Sequence, residues 1–207
     1  MILNGVQCVL RAYTDTAQNP NFDTPLHAHL SHLSTSIHTS SSAFASASSA
    51  PGTLSTTLFL FTVPASTCNV LGTLHGGATA TLFDLTTSIA VAAVAKPGMF
   101  QGLGVTRTLN VTYLRPVSEG MRVVVGNEVL SVGGKLAVVR GWIREVDGEV
   151  DGKVDEKVDE KVDGDGAGGG EGTQEVRMKG GYLATCEHGK VNTDSPAGRG
   201  RPGKSKL

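Results

Sequence analysis

From Leu103 to Leu114 the side chains alternate: Val105, Leu109, Val111 and Tyr113 share one side with Arg107, and Thr106, Thr108, Asn110 and Thr112 share the other. A period of two predicts a strand whose second face is polar. Thr53–Val63 is dense in β-branched and aromatic residues and stops at Pro64, which predicts a strand covered on both faces over its second half. Arg122–Val132 and Leu136–Val146 read as two more strands joined across Gly133-Gly134, a strong hairpin turn. Glu175–Glu187 resumes a strand pattern and is expected to pair with Leu136–Val146.

Two stretches predict helices. Gly76–Ala95 is rich in Ala, apolar almost all round and halted by Lys96-Pro97-Gly98, the pattern of a buried helix. Residues 23–38 offer Asp23 or Thr24 as a cap and Pro25 in the first turn, followed by Leu26, Leu30, Leu33 and Ile37 at helical spacing, so a helix is predicted there too. The expected order is helix, strand, buried helix, three strands in meander and a final strand.

Composition limits how much of the chain packs. The stretches 34–50 and 147–173 are crowded with Ser, Ala, Gly, Asp and Lys, which supply no core. Val146–Asp165 is a tetrapeptide repeat, VDGE, VDGK, VDEK, VDEK and VDGD. Its aspartates lack the alternate spacing of a calcium loop, so it reads as a solvated insertion. The expected organisation is a lead-in over 1–50, one domain over 51–191 with an insertion at 147–173, and a flexible tail over 192–207.

Charge and cysteines exclude several classes. With 18 Lys and Arg against 19 Asp and Glu, there is no bulk basic surface for nucleic acid. Cys8, Cys68 and Cys186 are odd in number and far apart, which suits neither a disulfide framework nor a zinc site. His27, His29 and His32 do not share one helix face, so no metal is expected. The first ten residues make a poor signal peptide, and no apolar run reaches the roughly 20 residues of a membrane span. A soluble intracellular protein is expected.

The chemistry concentrates in Asn69–Asp84, NVLGTLHGGATATLFD. His75-Gly76-Gly77 stands at the start of the buried helix, where free N–H groups and the dipole favour a developing oxyanion. Asp84 is the lone charge in that uncharged run, and a carboxylate there needs a partner or a task. Eight residues separate Gly76 from Asp84, about 12 Å along one helix, too far for both to touch one carbonyl carbon. One site is therefore expected to combine Gly76 of one subunit with Asp84 of another.

The motif N-x-x-G-T-L-H-G-G-x-x-A-T-L-x-D, then G-V-T-R-x-L-N-V-T-Y-L-R-P and G-G-K-L-A, resembles the hotdog-fold acyl-CoA thioesterases related to the phenylacetate-pathway and 4-hydroxybenzoyl-CoA enzymes. The resemblance spans Gly52–Val146 and Val176–Val191. It implies an α+β hotdog fold, an antiparallel sheet wrapped around a long central helix, assembled as a homodimer or dimer of dimers with shared active sites. It also implies acyl-CoA hydrolysis without a cofactor. By that likeness Asp84 is the general base or nucleophile, and Gly76 and Gly77 are the oxyanion donors. Asn69 helps hold water and thioester, His75 orients it, and Thr106 positions the water. Arg115 and Lys135 are candidates for the CoA phosphates. The alternatives are a hotdog hydratase or dehydratase, and a non-catalytic acyl-CoA-binding protein. Ser205-Lys206-Leu207 reads as a peroxisomal address, so peroxisomal import through a receptor is expected, with the cytosol as the alternative.

Overall fold

The computed structural model describes residue 6 and residues 22–38, 52–147 and 176–194. The tail ending in Ser205-Lys206-Leu207 and nearly all of the repeat insertion lie outside the described residues. The elements are α1 (Thr24–His27), β1 (Leu30–Ile37), β2 (Ser55–Thr62), α2 (Gly76–Val91), β3 (Val105–Tyr113), β4 (Arg122–Val132), β5 (Leu136–Asp147) and β6 (Arg177–Val191), with a short 3-10 turn at Ala65–Thr67. The six strands form one sheet in the order β1-β2-β4-β5-β6-β3, and every neighbouring pair is antiparallel.

Helix α2 lies on one face of this sheet. Leu82, Phe83 and Ile89 are fully buried against Phe59, Phe61, Val123, Val125 and Ile143, each such side chain stabilising the fold by about 1.5–3 kcal/mol through burial. Gly141 sets how close helix and sheet come. A Cβ there would sit 2.9 Å from Phe83 Cδ1 and 2.7 Å from Cys186 Sγ. The ladder helix ends at Val91, short of the expected Ala95, because Ala92, Ala93 and Val94 donate to the carbonyls three residues back and wind into a tighter turn.

Two expectations are corrected. Residues 23–38 are not one helix: Thr24–His27 makes a single turn, and Leu30–Ile37 is an edge strand paired with β2. Asp23 makes no side-chain cap, and the Ser, Thr and Ile of the segment suit a half-buried strand once β2 offers its edge. Nor do β3, β4 and β5 form a meander. β4 and β5 pair as expected, but β3 crosses to the far edge and pairs with β6. Its link to β4, residues 114–121, contains Pro116 and is too long for a tight hairpin. That link runs past the start of α2 instead, where Leu74 N–H donates to Val117 O at 2.8 Å. The expected pairing across the insertion holds, with β5 and β6 paired from Leu136↔Val191 to Asp147↔Arg177 and the register shifting between Ile143 and Glu145.

Candidate active site

The start of α2 is built by its neighbours. His75 is the cap residue, and its Nδ1 accepts the Gly77 N–H at 3.0 Å. An imidazole accepting at Nδ1 carries its proton at Nε2. The Gly77 N–H is thereby occupied in this subunit. The Gly76 N–H, among the described residues, keeps no acceptor in the turn. Tyr113 Oη donates to Gly76 O at 2.8 Å, clasping this end of the helix to β3. Gly76, Thr79, Tyr113 and Arg115 line a cavity of about 300 Å³ together with Leu74, Leu114 and Val117.

Asn69 shapes the loop that leads to His75. Its Oδ1 accepts from Leu71 N–H at 2.9 Å, and its amide donates to Thr73 Oγ1 at 2.9 Å. In this subunit the side chain closes a turn, and the turn raises Val70 and Leu71 fully into solvent.

Asp84 lies two turns further along α2 with its side chain 47% exposed, so it is an accessible carboxylate and not the buried charge that its apolar neighbourhood suggests. Thr106 Oγ1 donates to Asp84 Oδ1 at 2.5 Å. His188 Nε2 lies 3.0 Å from Thr106 Oγ1 and 3.4 Å from Asp84 Oδ1, and His188 Nδ1 lies 2.6 Å from Thr87 Oγ1. Lys190 Nζ donates to Ser88 Oγ at 2.7 Å, and Ser88 in turn donates to Asp84 O. Burial pushes the His188 imidazole down to about 4, aided by the Lys190 charge and opposed by Asp84. Burial also lowers Lys190, again opposed by Asp84.

Thr106 reaches Asp84 because β3 is irregular. Strict alternation puts Thr106 on the face opposite Leu109, Val111 and Tyr113. A bulge at Arg107 breaks the register between Thr106↔Lys190 and Thr108↔Gly189, so the phase shifts by one residue. Thr106 then faces the helix together with Leu109 and Val111.

The structure therefore brings Asp84 and Thr106 together, and separately Gly76, His75 and Arg115, with the two groups at different places along α2. Arg115 packs against Gly180 and Gly181 near the start of β6, whereas Lys135 meets Asn192 just past its end. Eleven strand residues, roughly 35 Å, separate those points in one subunit. His188, Lys190 and Tyr113 are site residues that the sequence analysis did not single out. Following the alternation past Glu187 finds the first two, since Ala184, Cys186, His188 and Lys190 share one face.

An antiparallel sheet laid against one long central helix, with glycines at the helix start, is the hotdog architecture. The structure superposes on zebrafish thioesterase superfamily member 2 with a TM-score of 0.57 at 21% identity, covering 90% of this chain and 97% of that one. It also superposes on the Escherichia coli PaaI protein from the phenylacetic acid degradation operon with a TM-score of 0.54 at 13% identity, covering 95% and 99%. Residues 71–151 match the Thioesterase superfamily. Mouse acyl-coenzyme A thioesterase 13 is 38% identical over 69 residues, 33% of this chain and 46% of the mouse protein. The match thus spans less than half of that relative's length.

Proposed function

We propose that the protein hydrolyses acyl-CoA thioesters at a site composed from two subunits. The observation that carries this reading is the placement of a free helix-start N–H at Gly76 and an accessible, hydroxyl-bonded carboxylate at Asp84 about 12 Å apart on one helix. Neither half suffices alone for attack on one carbonyl. β3 is a sheet edge with unpaired backbone groups, suited to addition of another strand. If two β3 strands pair antiparallel about a two-fold axis near Leu109, the Thr106 end of one lies against the Tyr113 end of the other. Thr106 touches Asp84 and Tyr113 touches Gly76, so that single pairing supports a complete site: Gly76, His75 and Arg115 from one subunit, Asp84, Thr106 and Lys135 from the other. Asn69 belongs to the Gly76 half.

In this site the Gly76 N–H polarises the thioester carbonyl. Asp84 takes a proton from water, whose oxygen attacks the carbonyl carbon, and the C–S bond then breaks with its electron pair on sulfur. The two cations at the mouth suit the CoA phosphates. The 38% identity over 69 residues to mouse acyl-coenzyme A thioesterase 13 supports this substrate class. Thiol release from short, long and aromatic acyl-CoAs is the test. Wild type is expected to turn over at least one class, and Asp84→Asn to lose about 10²-fold or more while keeping its circular dichroism. A well-folded Asp84→Asn with wild-type turnover contradicts the reading.

A further inference from the structure

We infer that Arg115 and Arg144 form a clamp for a phosphate dianion at the Gly180-Gly181 bulge of β6, and that the group it takes is the 3′-phosphomonoester of coenzyme A. The choice of CoA rests on the hydrolase reading above; the anion site itself does not. The sheet is irregular at this point. β5 and β6 pair up to Ile143↔Ala184 and resume at Glu145↔Lys179, so Arg144 alone stands opposite Gly180, Gly181, Tyr182 and Leu183. A bulge of this kind re-aims the side chains around it. Gly180 turns the chain with φ 64°, in the left-handed region that glycine tolerates.

The bulge gathers one arginine from each side. From β5, Arg144 Nη2 donates to Gly180 O at 2.8 Å. From the link that follows β3, the Leu114 and Arg115 N–H groups donate to Leu183 O at 2.9 and 3.0 Å, which fixes the base of the Arg115 side chain. Its guanidinium then lies along the glycine pair: a Cβ at Gly180 would meet Nη1 at 3.5 Å, and one at Gly181 would meet Nη2 at 3.3 Å. Arg115, Gly180, Gly181 and Tyr182 are exposed, so the bulge is open to a ligand. Arg115 also lines the cavity beside Gly76, which makes the clamp a continuation of the proposed site.

Two like charges drawn to one turn repel each other, and no carboxylate offsets them. Among the described residues, the ion-paired carboxylates are Asp23, Asp84 and Glu128, and their partners are His27, His188 and Arg140. Arg140 is the telling contrast. It shares strand and face with Arg144, and the fold supplies it with the buried Glu128. Arg144 has no such partner. Its Cζ lies 5.8 Å from the Tyr182 ring centroid, and its Nε is shut off from water with no acceptor among the described residues. An arginine that only plugged the bulge would need no more than the bond to Gly180 O. Two unpaired guanidinium forks at one open turn match a group with several acceptor oxygens and two negative charges, which a phosphate monoester supplies near neutral pH. A carboxylate would balance only one of them.

The test uses the full chain and reads binding, not turnover. Calorimetric titrations at fixed ionic strength compare CoA with 3′-dephospho-CoA, and emission from Trp142, the single tryptophan, 6.0 Å from Tyr182, reports ligand at the bulge. Wild type is expected to bind CoA about tenfold more tightly than the dephospho form. Arg144→Gln and Arg115→Gln are each expected to bind the two forms about equally. Arg144→Lys keeps the charge without the fork and should fall between. Lys96→Gln removes an exposed charge beyond the other end of α2 and should keep the wild-type preference. A preference that survives in both Gln variants, or is missing from a wild type that binds CoA, overturns the 3′-phosphate assignment. If wild type binds neither form, the substrate reading fails by itself, and inorganic phosphate decides the anion site. At equal ionic strength phosphate should raise the unfolding midpoint of wild type more than those of the two Gln variants; equal shifts overturn the clamp.

Discussion

At the scale of single residues, the buried imidazole of His188 leaves a signature in stability. An unfolded chain binds a proton at His188 near the ordinary 6.5, whereas the folded protein does so only near 4. Between those values the unfolded state holds more protons, so stability falls as pH drops through that window and is unaffected above it. A depression of that size corresponds to about 3 kcal/mol. Urea unfolding of wild type and His188→Phe from pH 7 to pH 4 measures it: the wild-type advantage at neutral pH should shrink by an amount of that order, and a constant difference would contradict the buried neutral ring. Cys186 makes a useful contrast. Burial pushes its thiol up to about 12, so it remains an uncharged packing group beside Gly141 throughout this range.

Among the elements, the tightest constraint is where α2 meets β5. Gly141→Val would drive a Cβ within 3 Å of the side chains of both Cys186 and Phe83, and both are buried between helix and sheet. The expected cost is about 2–3 kcal/mol, read from thermal or urea midpoints, while Gly134→Ala in the open β4–β5 turn, with nothing within 4 Å, should change little. The elements most legible in the sequence were those whose pattern and burial agree. β4 begins and ends at its expected residues, and the apolar second half of α2, Leu85–Val91, is buried save for the half-buried Ser88. β1 was misread because Leu30, Leu33 and Ile37 satisfy a helical period while the deciding contact, the free edge of β2, is far away in sequence. Thr106 was assigned to the site by motif likeness, yet alternation alone places it on the wrong face; a one-residue bulge is invisible to a periodicity argument. The second half of the site was hidden for a similar reason. His188 and Lys190 acquire meaning only when β6 delivers them beneath a helix residue a hundred positions earlier.

For the whole molecule, the account turns on one subunit being two half-sites. Gly76 with Tyr113 and Arg115 stands at one end of α2, Asp84 with Thr106, His188 and Lys190 further along it, and in the proposed assembly the edge of β3 connects the two. The direct measurement uses two disabled proteins. Gly76→Pro removes the N–H at a position that accepts the residue: proline is tolerated at the first helical position, His75 already has the extended ψ of 138° that precedes a proline, and a Cβ at Gly76 meets only ordinary contacts with Tyr113 at 3.5 Å or more. Asp84→Asn removes only the charge. Each homodimer should be nearly inactive. In a mixed dimer one site carries both defects and the other none, so co-expression with differential tags should restore about a quarter of wild-type thiol release, half the dimers being mixed and each having one working site of two. Purified mixed dimers that stay as inactive as their parents would contradict the composite site.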